Sequence, residues 1–417
     1  MNRRKCLKLM LSVPAAAGSG IFVNPLAAGT LYQESPEKSL HPSEFRFMTP
    51  PVIQWSTPES FEVFTITSHP SACSVKVREK GSTGGFNIVT NQQHGLVEAN
   101  ETFHRITVPD LSPGKEYEYQ FQASRIDKFE PYKVHFGSAL ETDLYSVSLP
   151  NSGDSELRFT VLNDLHKNLP LINSLMSKIE AASSLPEFVM LNGDILSHIE
   201  GEDDVSAILN LPGKYASEHP LIWIRGNHEC RGNFARYMTR YLTMPDGRFY
   251  YTFRRGPVQF LVLDSGEDKN DTDPAYCGLT DFDSFRLREE EWFKTVIGTP
   301  EWRTAPFRIL VTHIPVGHIP GDEKKDPKFF QPYKKRWAEI MNSAGLDLEI
   351  AGHYHRYYLG EPSDKRNFPI VIGGGPREDS AVIVGVHATE ETLSLEVTNL
   401  KDEKIGEKQW LRSPLDR

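Results

Sequence analysis

Beyond residue 155 of this 417-residue chain, five apolar runs each end in polar side chains of one restricted kind. "RFTVLN" gives way to Asp164 and His166, "FVMLN" to Gly193 and Asp194, and "PLIWIR" to Gly226, Asn227 and His228. "FRILVT" leads to His313, and "LDLEIA" to Gly352, His353 and His355. Short apolar runs of this kind read as buried strands. Between them the spacing turns helical: Leu169, Ile172, Met176 and Ile179 recur on one face, and "RLREEEWFKTVI" and "YKKRWAEIMNSAG" are further helices. Strand and helix in alternation predict an α/β domain over residues 155–400, a sheet core flanked by helices. In such sheets the strand ends and the loops after them assemble sites, so five clusters distant in sequence can converge on one point.

The residue types say what that point can do. Asp164 and Asp194, four imidazoles (His166, His313, His353, His355) and the Asn227 carbonyl make a mixed oxygen and nitrogen set. That set suits Mn, Fe or Zn and disfavours Ca, which prefers oxygen cages. One ion does not need seven ligands, but two ions can share them if a carboxylate bridges and screens cations roughly 3.5–4 Å apart. Such a pair lowers the pKa of bound water and clamps the attacking and leaving oxygens of an in-line displacement. The chemistry is that of phosphoester hydrolysis.

The ordered motifs "DLH", "GD", "GNHE", "THIP" and "GHYH", spread over nearly 200 residues, resemble those of the calcineurin-like metallophosphoesterase superfamily. The resemblance implies a β-sandwich core flanked by helices and two divalent or trivalent metal ions. By it, Asp164, His166 and His355 bind one metal, Asn227, His313 and His353 bind the other, and Asp194 bridges them. His228 then faces the phosphoryl group, stabilising the transition state or protonating the leaving oxygen. The implied reaction is hydrolysis of a phosphomonoester, or of a diester, by a metal-bound hydroxide. Glu229 has two readings, orienting a ligand or capping the next turn, while Gly226 lets the backbone turn toward the metals. "GHYHRYY" is similar to the last motif of the purple acid phosphatases. Two departures stand out: His166 where that family has Gly, and Ser197 where it has a metal-bound Tyr. "RGNHECR" echoes the Ser/Thr protein phosphatases, but "NDLHK" and "GDILSH" lack that group's flanking Gly and Asp-Arg-Gly.

Residues 35–145 read differently. "PPVIQWST", "FEVFTIT", "CSVKVRE", "FHRITVPDLSPGKEYEYQFQAS" and "YKVHFGSA" alternate β-branched and aromatic residues between turn signals, which predicts an all-β sandwich. Trp55, and Leu111 followed by Pro113, Gly114 and Tyr117, resemble the fibronectin type III pattern. A polar stretch, "YSVSLPNSGDSELR", reads as the linker to the α/β domain.

Residues 1–28 carry Arg3, Arg4, Lys5 and Lys8, a short apolar stretch broken by Pro14, and small residues at Ala27 and Ala28. They read as an export signal, so the mature chain is expected in the periplasm or outside the cell. Arg3 and Arg4 resemble a twin-arginine signal, with Cys6 where that pattern usually has Phe; the general secretory route is the other reading. No later segment approaches the roughly 18 apolar residues of a membrane span. A formal net charge of −10 has the wrong sign for a protein that coats nucleic acid or anionic membrane. The expected partner is a small anionic phosphoester. Cys73, Cys230 and Cys277 are too few for a disulfide framework; a Cys230–Cys277 bridge is conceivable, and unpaired thiols are the plainer reading. His198, Arg231 and His318 are candidate substrate contacts, each weighed against a surface or supporting role. For Arg225 the choice is between a phosphate contact and an ion pair, and Asp264 ends a further strand without adding a motif. "VIGGGPRED" lacks the helix and Gly-Lys-Ser/Thr of a phosphate cradle and reads as a turn near the site's rim.

Overall fold

The computed structural model describes residues 44–320 and 332–412. The export signal and most of the segment "GHIPGDEKKDPKFFQP" lie outside them. Residues 52–148 form an antiparallel seven-stranded sheet built around one strand, Ser60–Glu79. Its first part pairs with Val52–Thr57 and Ala99–Val108, and its second part with Asn87–Val89 and Glu116–Glu130. The sequence suggests two strands here, and the backbone runs through as one. The register against Ala99–Val108 nevertheless breaks between Ile66 and Ser71, where Pro70 has no N–H to give a ladder. Each half thus serves a different set of partners. Phe61, Val63, Val75, Val77, Tyr119 and Phe121 are packed into a single core.

Two six-stranded sheets follow. In the first, Leu221–Ile224, Phe188–Asn192 and Glu156–Leu162 run parallel. Val382–Thr389, Thr392–Asn399 and Lys404–Leu411 extend it antiparallel. In the second, Val258–Leu263, Phe307–Thr312, Leu348–Ala351 and Ile370–Ile372 are parallel, with Tyr251–Arg255 and Tyr358–Gly360 antiparallel at the edges. The inner faces meet: Phe159, Val161, Met190 and Ile222 of one sheet share a core with Phe260, Val262, Ile309, Val311 and Ile350 of the other. Each such side chain contributes about 1.5–3 kcal/mol by leaving water.

Over the parallel strands the other faces are covered by helices, which is why those strands read as unbroken apolar runs. Leu169–Glu180 and Glu202–Leu209 pack on the first sheet through Ile172, Leu175, Met176, Val205 and Ile208. The side chain of Asn168 starts the former by accepting from the Leu171 amide, and Pro170 occupies its first turn. Phe282–Ile297 and Pro332–Ser343 pack on the second sheet, where Phe293 and Trp337 meet edge to face at 5.3 Å. Among the described residues no helix is long and apolar enough to cross a membrane.

The antiparallel sheet is fastened to this sandwich by specific polar bonds. Gln54 donates to the Tyr241 carbonyl (2.9 Å) and accepts from the Thr243 amide (2.6 Å), and the Tyr119 hydroxyl donates to the Ser217 carbonyl at 2.6 Å. Asp271–Asp281 forms part of a separate compact unit and holds a short turn, Pro274–Tyr276, capped by Asp273. The three cysteines of the described residues are free thiols, so Cys230 and Cys277 are not bridged.

Candidate metal centre

The strand ends converge. Asp164, His166, Asp194 and His355 each place a ligand atom within 4.8 Å of the others, and so do Asp194, His313 and His353. Asp194 belongs to both groups. Nε2 of His166 and Nε2 of His355 are 3.0 Å apart. His313 Nε2 lies 3.0 Å from Asp194 Oδ2 and 3.8 Å from Asp164 Oδ1, and His353 Nδ1 lies 3.0 Å from Asn227 Oδ1. His313 Nε2 is buried and makes no well-aligned hydrogen bond. Converging imidazole lone pairs and buried carboxylates at this spacing fit metal ions: a cation replaces the missing hydrogen bonds and removes the repulsion between acceptors.

The backbone at these positions is itself unusual. Asp164, His166, Asp194, His353 and His355 all have positive φ, between 45° and 72°. Asp and His tolerate this region better than most residues, yet each instance costs on the order of 1 kcal/mol. Such strain persists where the surroundings over-determine it, and here the surroundings are specific. The Glu229 carboxylate, wholly buried, accepts from the amides of Asp194 (2.8 Å), Gly226 (2.8 Å) and Leu196 (2.9 Å). Of its two readings, this is the orienting one. Gly226 does not have positive φ; a Cβ there would meet Asp194 N at 2.4 Å and Asp194 Oδ1 at 2.5 Å. It is therefore glycine for close approach, not for the turn expected from sequence. At Gly352 a Cβ would meet Asp164 Oδ2 at 2.5 Å.

Hydrogen bonds also fix ring orientation. His313 Nδ1 donates to the Asn192 carbonyl (2.9 Å), which turns its Nε2 toward the carboxylates. Asn192 in turn donates to Asn163 Oδ1 and to the Thr312 carbonyl, joining the two sheets beneath the site. Both Asp164 oxygens accept from the His353 amide, and Asp194 Oδ1 from the His228 amide. Burial pushes the Asp164 carboxyl up to about 8 and His166 down to about 4. His313 goes the other way: burial opposes its charged form, but Asp194 and Asp164 raise it to about 10. Asp194 is held below the usual carboxylate range, burial notwithstanding, by His313 and His228.

Residues 157–357 match the calcineurin-like phosphoesterases. The chain is similar to human serine/threonine-protein phosphatase CPPED1, 24% identical over 203 residues, 46% of this chain and 61% of that protein. The alignment with the bovine CPPED1 is longer, 23% over 325 residues, or 75% and 92%. Acid phosphatase type 7 of Danio rerio is 22% identical over 304 residues, 68% of this chain and 62% of that one. Among solved structures, purple acid phosphatase PPD1 from yellow lupin (Lupinus luteus) seeds superposes with a TM-score of 0.64 over 86% of this chain and 73% of its own, at 14% identity. At that identity the likeness is one of fold.

Around these metal-type residues the other candidates divide. His228 lies against His166, ring centroids 4.6 Å apart, with Nε2 3.9 Å from Asp194 Oδ2. Arg231 touches His228 and is held by Glu267 and Asp268. His198 is largely exposed, 3.7 Å from Glu200, and His318 has Lys365 Nζ 3.4 Å from its ring. Neither is brought into the two ligand groups. Arg225 forms a buried ion pair with Asp264 and stacks 3.9 Å over the Phe249 ring. "VIGGGPRED" packs close to the site: a Cβ on Gly375 would meet the His355 carbonyl at 2.8 Å. Sequence reasoning missed Asn163 and Asn192. Their signal is positional, since each ends an apolar run just before a metal-type Asp.

Proposed function

We propose that this chain is an exported phosphoesterase that holds two metal ions and hydrolyses phosphomonoesters. The observation that carries the reading is Asp194, the one carboxylate common to both ligand groups. Asp164, His166 and His355 would hold one ion with it, and Asn227, His313 and His353 the other. Bound Mn, Fe or Zn supplies an activated water and a positive clamp for phosphoryl oxygens. The chain's own part is orientation. Asn192 sets the His313 tautomer, Glu229 fixes the Asp194 loop, and His228 stands beside the ligands to meet the phosphoryl group or the leaving oxygen. With Ser197 in place of a tyrosine ligand, an iron-loaded form lacks a tyrosinate charge-transfer colour.

The N-terminal residues 35–145 are proposed to be a fibronectin type III-like module preceding a catalytic domain at 155–400. The switch of partners along Ser60–Glu79 supports this, as does the Ser112 amide bonding to the Tyr117 hydroxyl at 2.8 Å, similar to a tyrosine corner. Export rests on residues 1–28.

The test is hydrolysis of a nitrophenyl phosphomonoester against its bis-nitrophenyl diester, by the mature protein stripped and reloaded with Mn, Zn or Fe. Monoester preference supports the reading, and diester preference makes it a phosphodiesterase. No turnover of either by a protein holding two metals would make the fold a binding module. A phosphoprotein substrate is the second reading, favoured by the similarity to the CPPED1 serine/threonine-protein phosphatases. Phosphoserine and phosphothreonine peptides in the same assay decide it.

A further inference from the structure

Arg231 follows the "GNHE" motif by two residues and reads from sequence as either a phosphate fork or a surface ion pair; in the structure its guanidinium is engaged. Nε lies 3.0 and 3.3 Å from the two Glu267 oxygens, Nη2 lies 2.9 Å from Glu267 Oε2 and 2.9 Å from Asp268 Oδ1, and Nη1 lies 2.9 Å from His228 Nε2. Glu267 is 1% exposed, so the fork is anchored from the protein's interior. On the other side of the imidazole, His228 Nδ1 lies 2.6 Å from the Ser197 carbonyl. A carbonyl only accepts and a guanidinium only donates. The ring is thereby confined to one tautomer, with the proton on Nδ1 and the lone pair on Nε2 facing Arg231.

We infer that Arg231 is a positioning residue: clasped by Glu267 and Asp268, it fixes the orientation of the His228 ring rather than gripping substrate itself. The inference deepens the phosphoesterase reading and rests on it for the reaction, but not for the geometry. Three side chains and a carbonyl thus fix where the His228 ring stands beside the ligand groups. Arg fits this role where Lys does not, since only the planar fork reaches Glu267, Asp268 and His228 together.

The experiment uses the full mature chain, zinc-loaded and labelled with 15N-histidine, with His228→Asn to assign the ring signals. Arg231→Lys is compared with the double variant Arg231→Met/Glu267→Gln, which removes the arginine without stranding a buried carboxylate. The expected result is a protonated Nδ1 and unprotonated Nε2 for His228 in the wild type, and a displaced Nε2 signal in the double variant, where the Arg231 donor is gone. With it, kcat on the nitrophenyl monoester falls about 10–100-fold while KM stays within about twofold, as loss of orientation predicts. A rise in KM and in the inhibition constant for inorganic phosphate, with kcat held, would overturn the inference and make Arg231 a substrate contact. An unchanged Nε2 signal in the double variant overturns it as well. If the wild type turns over no phosphoester, the functional reading fails, and the nitrogen spectra still decide whether Arg231 sets the ring.

Discussion

Glu229 holds the backbone amide of Asp194 at 2.8 Å through a carboxylate that sees no solvent. Asp194, the residue common to both ligand groups, is thus kept in its strained backbone conformation by the side chain next to His228. In Glu229→Gln one oxygen becomes an NH2 that faces backbone N–H groups and can no longer accept from them. Metal affinity is expected to fall about 10–100-fold with the fold retained. Competition against a graded chelator, read beside a circular dichroism spectrum, checks this.

Metal content separates the shared ligand from the others. Asp194→Ala is expected to lose both ions, whereas His355→Ala keeps the one near His313 and His353. Inductively coupled plasma measurement on gel-filtered protein gives the stoichiometry directly. Equal loss in the two variants would mean that the groups do not bind independently.

Space beside Asp194 is as specific as charge. In Gly226→Ala the new methyl group meets the Asp194 amide nitrogen and carboxylate at 2.4 and 2.5 Å. Because the obstacle is partly backbone, relaxation is restricted, and a loss of about 1–3 kcal/mol is expected. Urea unfolding of metal-free protein measures it, and hydrolysis by the loaded variant should drop more steeply than stability does.

Stability should also depend on pH through a residue outside the two ligand groups. His104 is 4% exposed, 2.8 Å from Ser71 Oγ and 3.2 Å from Thr67 Oγ1, and burial lowers it to about 4. An unfolded histidine titrates near 6.5, so between these values the unfolded chain binds the extra proton. Stability is whole above about 6.5 and declines as pH falls toward about 4, by on the order of 3 kcal/mol. The slope of unfolding free energy against pH in that window should flatten in His104→Gln.

The strand ends were legible because parallel strands covered on both faces leave unbroken apolar runs, and the polar residues that follow them stand out. The helix at Leu169–Glu180 was legible for the complementary reason, a 3.6-residue period with Asn168 and Pro170 at its start. Partnerships across the chain left no such mark. Nothing beside Glu229 announces Asp194, 35 residues earlier, and nothing beside Arg231 announces Glu267, 36 residues later. Arg225 could be weighed as an ion pair, but not as one buried against Asp264 beneath Phe249. The continuous strand Ser60–Glu79 was hidden because Pro70 gives the same local signal whether a strand ends or only changes partners.

Gln54 grips Tyr241 and Thr243 with both ends of its amide, and His228 stands on the same stretch of chain, a short way before them. Deleting the N-terminal antiparallel sheet would therefore not liberate a trimmed hydrolase. It would leave the Tyr241–Thr243 segment without its anchor, uncover the aromatic contact between Phe103 and Tyr241 at 4.7 Å, and strand the Ser217 carbonyl that Tyr119 satisfies. For anyone dividing this protein into expressible pieces, the polar linker before Glu156 is a misleading place to cut.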